Sequence, residues 1–234
     1  MQVSITVDME HDCGSAPKNY RGVVEGTPQL LRLFRSRGIA ATFFTTGDVA
    51  RRFPAVVQAI VDDGHELGCH GDSHERFSTL APDSARREID DATRCMRHFF
   101  PLTSFRAPNL DFPDRYLPYL REAGYALDSS QARYKRGSVF MGPSQAEGLR
   151  RIPVSTMPSV VRLPRAVRRG VLARLRDPVV LYFHPWEFVD MTRERIPYDC
   201  RFRTGKAALD TLEDAIGFLQ ARGGRFRTMR ELAC

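Results

Sequence analysis

Lysine is nearly missing from this chain of 234 residues: it occurs only as Lys18, Lys135 and Lys206, so the excess of 35 basic over 28 acidic residues, a net +7, is carried by arginine. Such an excess suits an anionic partner, whether a phosphate-bearing lipid carrier or an anionic membrane face. No nucleic-acid-binding motif accompanies it, so no nucleic acid is expected. No apolar run approaches the roughly 18 residues that a membrane span requires, which excludes a spanning helix. The opening MQVSITVDMEHD has neither the basic start nor the apolar segment of a secretory leader, so a cytoplasmic location is expected. Cysteine is sparse and odd in number (Cys13, Cys69, Cys95, Cys200 and Cys234), without C-x-x-C spacing. That argues against a disulfide framework or a thiolate zinc site, and reduced thiols fit the cytoplasm. With 42% hydrophobic and 27% charged residues, disorder is excluded as well.

Short β-branched or aromatic runs alternate with longer helical patterns that end in glycine. Val3–Val7 reads as a strand, and Thr27 with Pro28 opens a helix through Arg37 that stops at Gly38. Ile39–Phe44 is the second strand. Asp48 then caps a helix through Val56, Val57, Ile60 and Val61 to Gly64, before the strand Glu66–Cys69. Pro82 opens a helix to His98, followed by a strand over Ser104–Arg106, a helix over Asp114–Ala123 and a strand over Tyr125–Leu127. Beyond a basic, irregular middle stretch come a strand over Val179–Phe183, a helix over Gly205–Arg222 and a last strand over Phe226–Thr228. Six or seven βα units without a linker predict one parallel α/β domain over residues 1–234. Asp8, His70, Arg106, Asp128 and His184 each fall at or just past the end of a predicted strand, which favours a barrel, where those ends share one face. No G-x-G-x-x-G or P-loop supports a nucleotide-binding open sheet.

Three clusters carry the candidate chemistry. Asp8, Glu10 and Asp12 place three carboxylates at alternate positions after a buried strand. Their mutual repulsion is relieved by a divalent cation or by arginine; the alternative is a solvated loop. His70 and His74, two of only six histidines, stand four apart, a spacing that puts both on one face of a helical turn and suits a metal. His184 follows five apolar residues in VVLYFHP, as a catalytic or a core histidine. Arg106 is placed to pair with a carboxylate of the first cluster, and Asp128 to orient an imidazole.

The ordered set T-V-D-x-E, H-G-x-x-H, F-R-A-P, a strand-end Asp and L-x-F-H-P resembles the polysaccharide deacetylases, the carbohydrate esterases with a NodB-homology domain, over about residues 3 to 230. The resemblance implies a distorted (β/α)7 barrel that hydrolyses an N-acetyl or related N-acyl group with a divalent metal. Zinc is the default for such a donor set, and cobalt, nickel or manganese also fit. Carried over, Asp8 is the general base, Glu10, His70 and His74 are metal ligands, Arg106 holds the base, His184 is the general acid and Asp128 the acid that tunes it. Met9 replaces the second Asp of the commoner T-F-D-D-G form, which moves the acidic ligand to Glu10 or to Asp12. The D-x-E sub-pattern resembles cytosolic members acting on sugars or lipid-linked sugars, so a polyprenyl-phosphate-linked amino sugar is among the expected substrates.

Around this site, Trp186 reads either as a sugar-stacking platform or as rim packing, Pro108 as a substrate contact, and Glu187 as a substrate contact or a cap. Arg162, Arg165, Arg168, Arg169, Arg174 and Arg176 flank Leu163, Val167, Val171 and Leu175 at fourfold spacing. That is a basic amphipathic helix, either an outer barrel helix with solvated arginines or one that docks on the inner membrane face. Two other functions are kept open: a deformylase or other linear-amide hydrolase with the same site, and a non-catalytic carbohydrate-binding module.

Overall fold

The structure, a computed structural model, describes residues 1–14, 18–135 and 142–233; Cys234 lies outside them. Strand β1 (Gln2–Met9) sets the layering. Its Val3, Ile5, Val7 and Met9 face outward into an apolar cluster shared with the flanking helices, while Thr6 and Asp8 turn inward to Arg106. This is the two-residue period of a pleated strand. Parallel strands β2 (Thr42–Thr45), β3 (Glu66–Cys69), β4 (Ser104–Phe105), β5 (Leu127–Asp128), β7 (Leu149–Arg151) and β8 (Val179–Phe183) join it in the order β7-β5-β4-β3-β2-β1-β8. Strand β6 (Ser144–Ala146) adds an antiparallel hairpin to β7, and β9 (Arg225–Phe226) pairs with the foot of β1. The sheet curls until the chain after β7 meets β8: the Ser155 amide donates to the Val180 carbonyl at 2.8 Å, and the Val180 amide to Ser155 Oγ at 2.9 Å. Two hydrogen bonds in place of a strand ladder make this the distorted seam of a (β/α)7 barrel.

Most helices fall where the sequence puts them, with instructive differences. The helix expected from Asp48 to Gly64 is two helices, α2 (Gly47–Arg52) and α3 (Pro54–Asp62), broken at Phe53 (φ −128°, ψ 52°). Pro54 has no amide proton to offer and disfavours helical geometry in the residue before it. Thr27 is not a cap: a π-helical turn over Gly22–Gly26 runs straight into α1 (Thr27–Arg37). Helix α4 spans Pro82–Met96, and α5 is a short Leu117–Glu122. The last expected strand ends at Phe226, and α10 (Met229–Ala233) follows. Its Met229 and Leu232 plug the barrel floor against Phe44, Leu127 and Val180, below Glu66. That buried carboxylate accepts from Thr42 Oγ1, Ser104 Oγ and the Arg230 amide at 2.6–2.9 Å.

The basic stretch after α6 (Pro158–Val161) forms α7 (Arg165–Leu172), packed on α9 (Lys206–Ala221). Its polarity differs from both readings of the sequence. Arg168 is buried and Val167 is 52% exposed. Arg165, Arg168 and Arg169 converge on the Asp214 carboxylate of α9 at 2.6–3.2 Å, with Arg168 buried and Arg165 exposed to solvent. Among the described residues no helix is long and apolar enough to cross a membrane.

Candidate active site

Asp8 sits near the end of β1 with its side chain inside the barrel, where a lone carboxylate would be costly. Arg106, just beyond β4 and fully buried, answers it: Nη1 donates to Asp8 Oδ1 and to Thr6 Oγ1, both at 2.7 Å. Nη2 donates to Ser129 Oγ at 2.9 Å, Nε to the Ser129 carbonyl at 3.3 Å, and the guanidinium lies 4.2 Å over the Phe44 ring. A buried guanidinium with its donors occupied is rigid, and so is the carboxylate it holds.

Glu10, His70 and His74 bring one ligand atom each within 4.8 Å of one another. His70 Nδ1 is bonded to the Arg106 carbonyl at 2.7 Å, which makes it the protonated nitrogen and leaves the Nε2 lone pair facing Glu10, 3.3 Å away. His74 Nε2 touches the same carboxylate oxygen. One carboxylate and two imidazole nitrogens gathered this closely fit a divalent first-row cation with open positions. Burial works to raise the Glu10 pKa, but the charges of His74 and His184 hold it well below the usual carboxylate range.

The two histidines do not share a helical face as their spacing suggests. Residues 70–74 form a loop in which Gly71 (φ 75°) and His74 (φ 70°) are left-handed, a strained state for His74 that its surroundings must hold. Glu88 of α4 does so, accepting from the amides of Asp72 and Ser73 at 2.9 and 3.0 Å and from Ser73 Oγ at 2.5 Å. Nothing in the sequence marks Glu88 for this task. Asp12 stands apart from the cluster: its carboxylate accepts from the Arg21 and Gly22 amides at 3.0 and 2.9 Å, securing the π-helical turn.

His184, just after β8, points Nε2 toward Glu10, 3.8 Å away. Asp128 is not its partner, a correction to the sequence reading. Asp128 is buried against Arg151 Nε at 2.9 Å and accepts from the Ser130 amide, and Arg151 also reaches Asp114. The alternation along β5 sends Leu127 into the barrel and Asp128 away from it. Glu187 takes the place beside the imidazole, with Oε1 3.1 Å from His184 Nδ1 and 2.9 Å from the His184 amide. Its other oxygen faces Arg162 Nε at 3.3 Å, both residues buried. The signal was present: an acid three positions after the residue preceding Pro185 is capping-box spacing. Burial works to lower the His184 pKa, yet Glu10, Glu187 and Asp8 together push it up to about 9.

Trp186 is nearly buried and stacks on the imidazole (centroids 5.0 Å apart, 19° between planes). The turn carrying it rests on Gly22 and Gly26, where a Cβ would stand 2.3 Å from the Trp186 amide nitrogen and 2.1 Å from the Pro185 carbonyl oxygen. Only glycine admits that approach. Asp8, Glu10, His70, His74 and His184 line one cleft of about 400 Å³, with Asn109 and Leu110 on its far wall. Pro108 is buried behind Asn109. A smaller recess of about 160 Å³ continues past His184, between Tyr182, Trp186, Arg162 and Met157.

Known proteins bear on this arrangement. The polysaccharide deacetylase family model matches residues 3–127, and the chain belongs to that family. A peptidoglycan deacetylase of Helicobacter pylori is 32% identical over 110 residues, covering 45% of this chain and 36% of that protein. The chain thus matches little more than a third of that relative's length. A candidate polysaccharide deacetylase from Mycobacterium smegmatis has the same fold, with a TM-score of 0.77 at 19% identity over 99% of this chain and 88% of that one. So has a family 4 carbohydrate esterase pseudoenzyme from Bacillus anthracis, with a TM-score of 0.67 at 17% identity over 100% of this chain and 65% of that one. A fold that serves enzyme and pseudoenzyme alike leaves activity to be argued from the site.

Proposed function

We propose that this protein is a metal-dependent hydrolase that removes the N-acetyl group of an amino-sugar glycan. The observation that carries the proposal is the convergence on one cleft of a carboxylate held by Arg106, a two-histidine, one-carboxylate donor set and an imidazole held by Glu187. A divalent cation held by Glu10, His70 and His74, zinc in our reading, would polarise the acetamide carbonyl and acidify a water. Asp8, fixed in orientation by Arg106, accepts the proton of the attacking water. His184 delivers a proton from Nε2 to the departing nitrogen, while Glu187 holds Nδ1 and favours the charged ring. Trp186 and Tyr182 confine the imidazole to this direction.

The family's relatives include peptidoglycan and chitooligosaccharide deacetylases, which supports an N-acetylglucosamine-containing polymer as the substrate class. The polyprenyl-phosphate carrier and the membrane face draw no support from these relatives, which are named for peptidoglycan and chitooligosaccharide. We place the protein in the cytoplasm because five cysteines, an odd number without C-x-x-C spacing, do not make the disulfide framework of a secreted domain. A deformylase uses the same parts, but no feature of the cleft favours formyl over acetyl. Against a binding module stands the full proton-transfer set, for which binding has no use.

The test is acetate release from chitooligosaccharides and peptidoglycan by protein loaded with zinc, cobalt or manganese. Release that vanishes in Asp8→Asn, with metal retained, supports the proposal. Glycan binding without acetate release under every metal would replace it with the binding-module reading.

A further inference from the structure

Cys13 and Cys200 are 187 positions apart in sequence, yet their sulfurs lie 3.1 Å from each other, with Cys200 lining the smaller recess beside His184. Both are free, half-buried thiols. The loops that carry them already touch: a Cβ on Gly14 would stand 2.8 Å from Ile196 Cγ2, so the backbone beside Cys13 sits directly on the segment leading to α8 (Tyr198–Arg201). Each thiol is wired to the site. Cys13 lies three residues beyond Glu10, on a loop pinned by Asp12 to the amides of Arg21 and Gly22. The Cys200 carbonyl accepts from Arg162 Nη1 at 2.9 Å, and Arg162 Nε faces the Glu187 carboxylate that holds His184.

We propose that Cys13 and Cys200 form a reversible disulfide that straps the loop after Glu10 to α8 and slows turnover at the cleft. About 1 Å of approach separates the sulfurs from bonding distance, a small movement for two half-buried loops. The oxidant is a small disulfide such as oxidised glutathione. The Cys13 thiolate attacks one of its sulfurs and expels one glutathione thiolate, and Cys200 then displaces the second. One S–S bond forms in the protein, one is reduced in the oxidant, and the two protein thiol protons pass to the two glutathione molecules. The Cys13 thiol is the better placed to begin, because a hydrogen bond from Cys200 outweighs burial and lowers its pKa. The effect on turnover rests on the proposed function; the bond itself does not.

The experiment equilibrates the metal-loaded protein with graded ratios of oxidised to reduced glutathione. Peptide mapping should find Cys13 joined to Cys200, the intact mass should fall by the two lost hydrogens, and acetate release should drop and return with dithiothreitol. Cys13→Ser should keep the activity of the reduced protein and ignore the oxidant, whereas Cys95→Ser should respond as the parent does. Separate glutathione adducts on the two cysteines, or bridges between chains, would overturn the pairing. A Cys13–Cys200 link that leaves turnover unchanged would overturn the strap. Should the reduced protein release no acetate, the proposed function fails on its own account, and the strap is read from metal stripping by chelator: slower stripping from the oxidised protein sustains it, and an equal rate removes it.

Discussion

The carboxylate of Glu187 lies 3.1 Å from His184 Nδ1, with the guanidinium of Arg162 on its other side. His184 as general acid works only while protonated, so activity should fall as pH rises through its pKa. In the metal-free chain that value is about 9, set against burial by Glu10, Glu187 and Asp8. A cation on Glu10 cancels part of that support, so the basic limb of the loaded enzyme should lie below 9. Glu187→Gln should move it down further, by about one unit, and lower kcat. A pH–rate profile of both proteins checks this; an unmoved limb would remove Glu187 from its role.

Asp128→Asn makes the opposite pairing of effects. Asp128 and Arg151 form a buried ion pair remote from the imidazole, and breaking such a pair costs about 3–5 kcal/mol. Thermal or urea unfolding should therefore show a marked loss of stability, while the basic limb of the pH–rate profile stays in place. A shifted limb would restore Asp128 as the partner of His184.

Metal content separates Glu10 from Asp12. Elemental analysis should find stoichiometric metal in the parent and in Asp12→Asn, whose carboxylate serves the Arg21 and Gly22 amides, and little in Glu10→Gln or His74→Ala. Because two ligands are imidazoles that must be neutral to bind, affinity should weaken as pH falls. Metal lost from Asp12→Asn and kept by Glu10→Gln would reverse the assignment.

His65 couples stability to pH. It is buried against Phe34 and Phe43, its Nδ1 accepts from the Ala41 amide at 3.2 Å, and burial pushes its pKa down to about 4 from 6.5. Below pH 6.5 the unfolded chain takes up a proton that the native state refuses until about pH 4, so stability falls across that window and levels below it. The full effect is about 3 kcal/mol. Urea midpoints of the parent at pH 7, 5.5 and 4 should show the decline, and His65→Phe should flatten it.

Gly26→Ala tests the seat of the His184 turn. The added methyl meets the Pro185 carbonyl at 2.1 Å, an overlap that cannot be relieved without moving the turn. A destabilisation of about 1–3 kcal/mol is expected, with kcat reduced in the protein that remains folded. At Gly223, where a Cβ meets open space, alanine should leave kcat unchanged and cost only backbone strain at φ 78°.

The local order along the chain was readable from periodicity and punctuation because strands and helices bury one face at fixed spacing, as β1 does with Val3, Ile5, Val7 and Met9. The same alternation, with polar residues at strand ends, disclosed Asp8, His70, Arg106 and His184 as neighbours on one face. Contacts between elements were not readable, because they depend on where one strand's phase meets another's. Asp128 faces Arg151 and not His184 because of the phase of β5, and Glu187 reaches His184 through a turn of four residues. His70 and His74 converge through left-handed backbone held by Glu88, a long-range interaction with no local trace. The helical stripe after residue 162 misled for a related reason: Arg168 faces inward because Asp214, 46 positions later, stands ready to neutralise it. Burial preference is a property of a residue type, but a buried charge is admitted by its partner, and partners are assigned only when the chain has closed into the barrel.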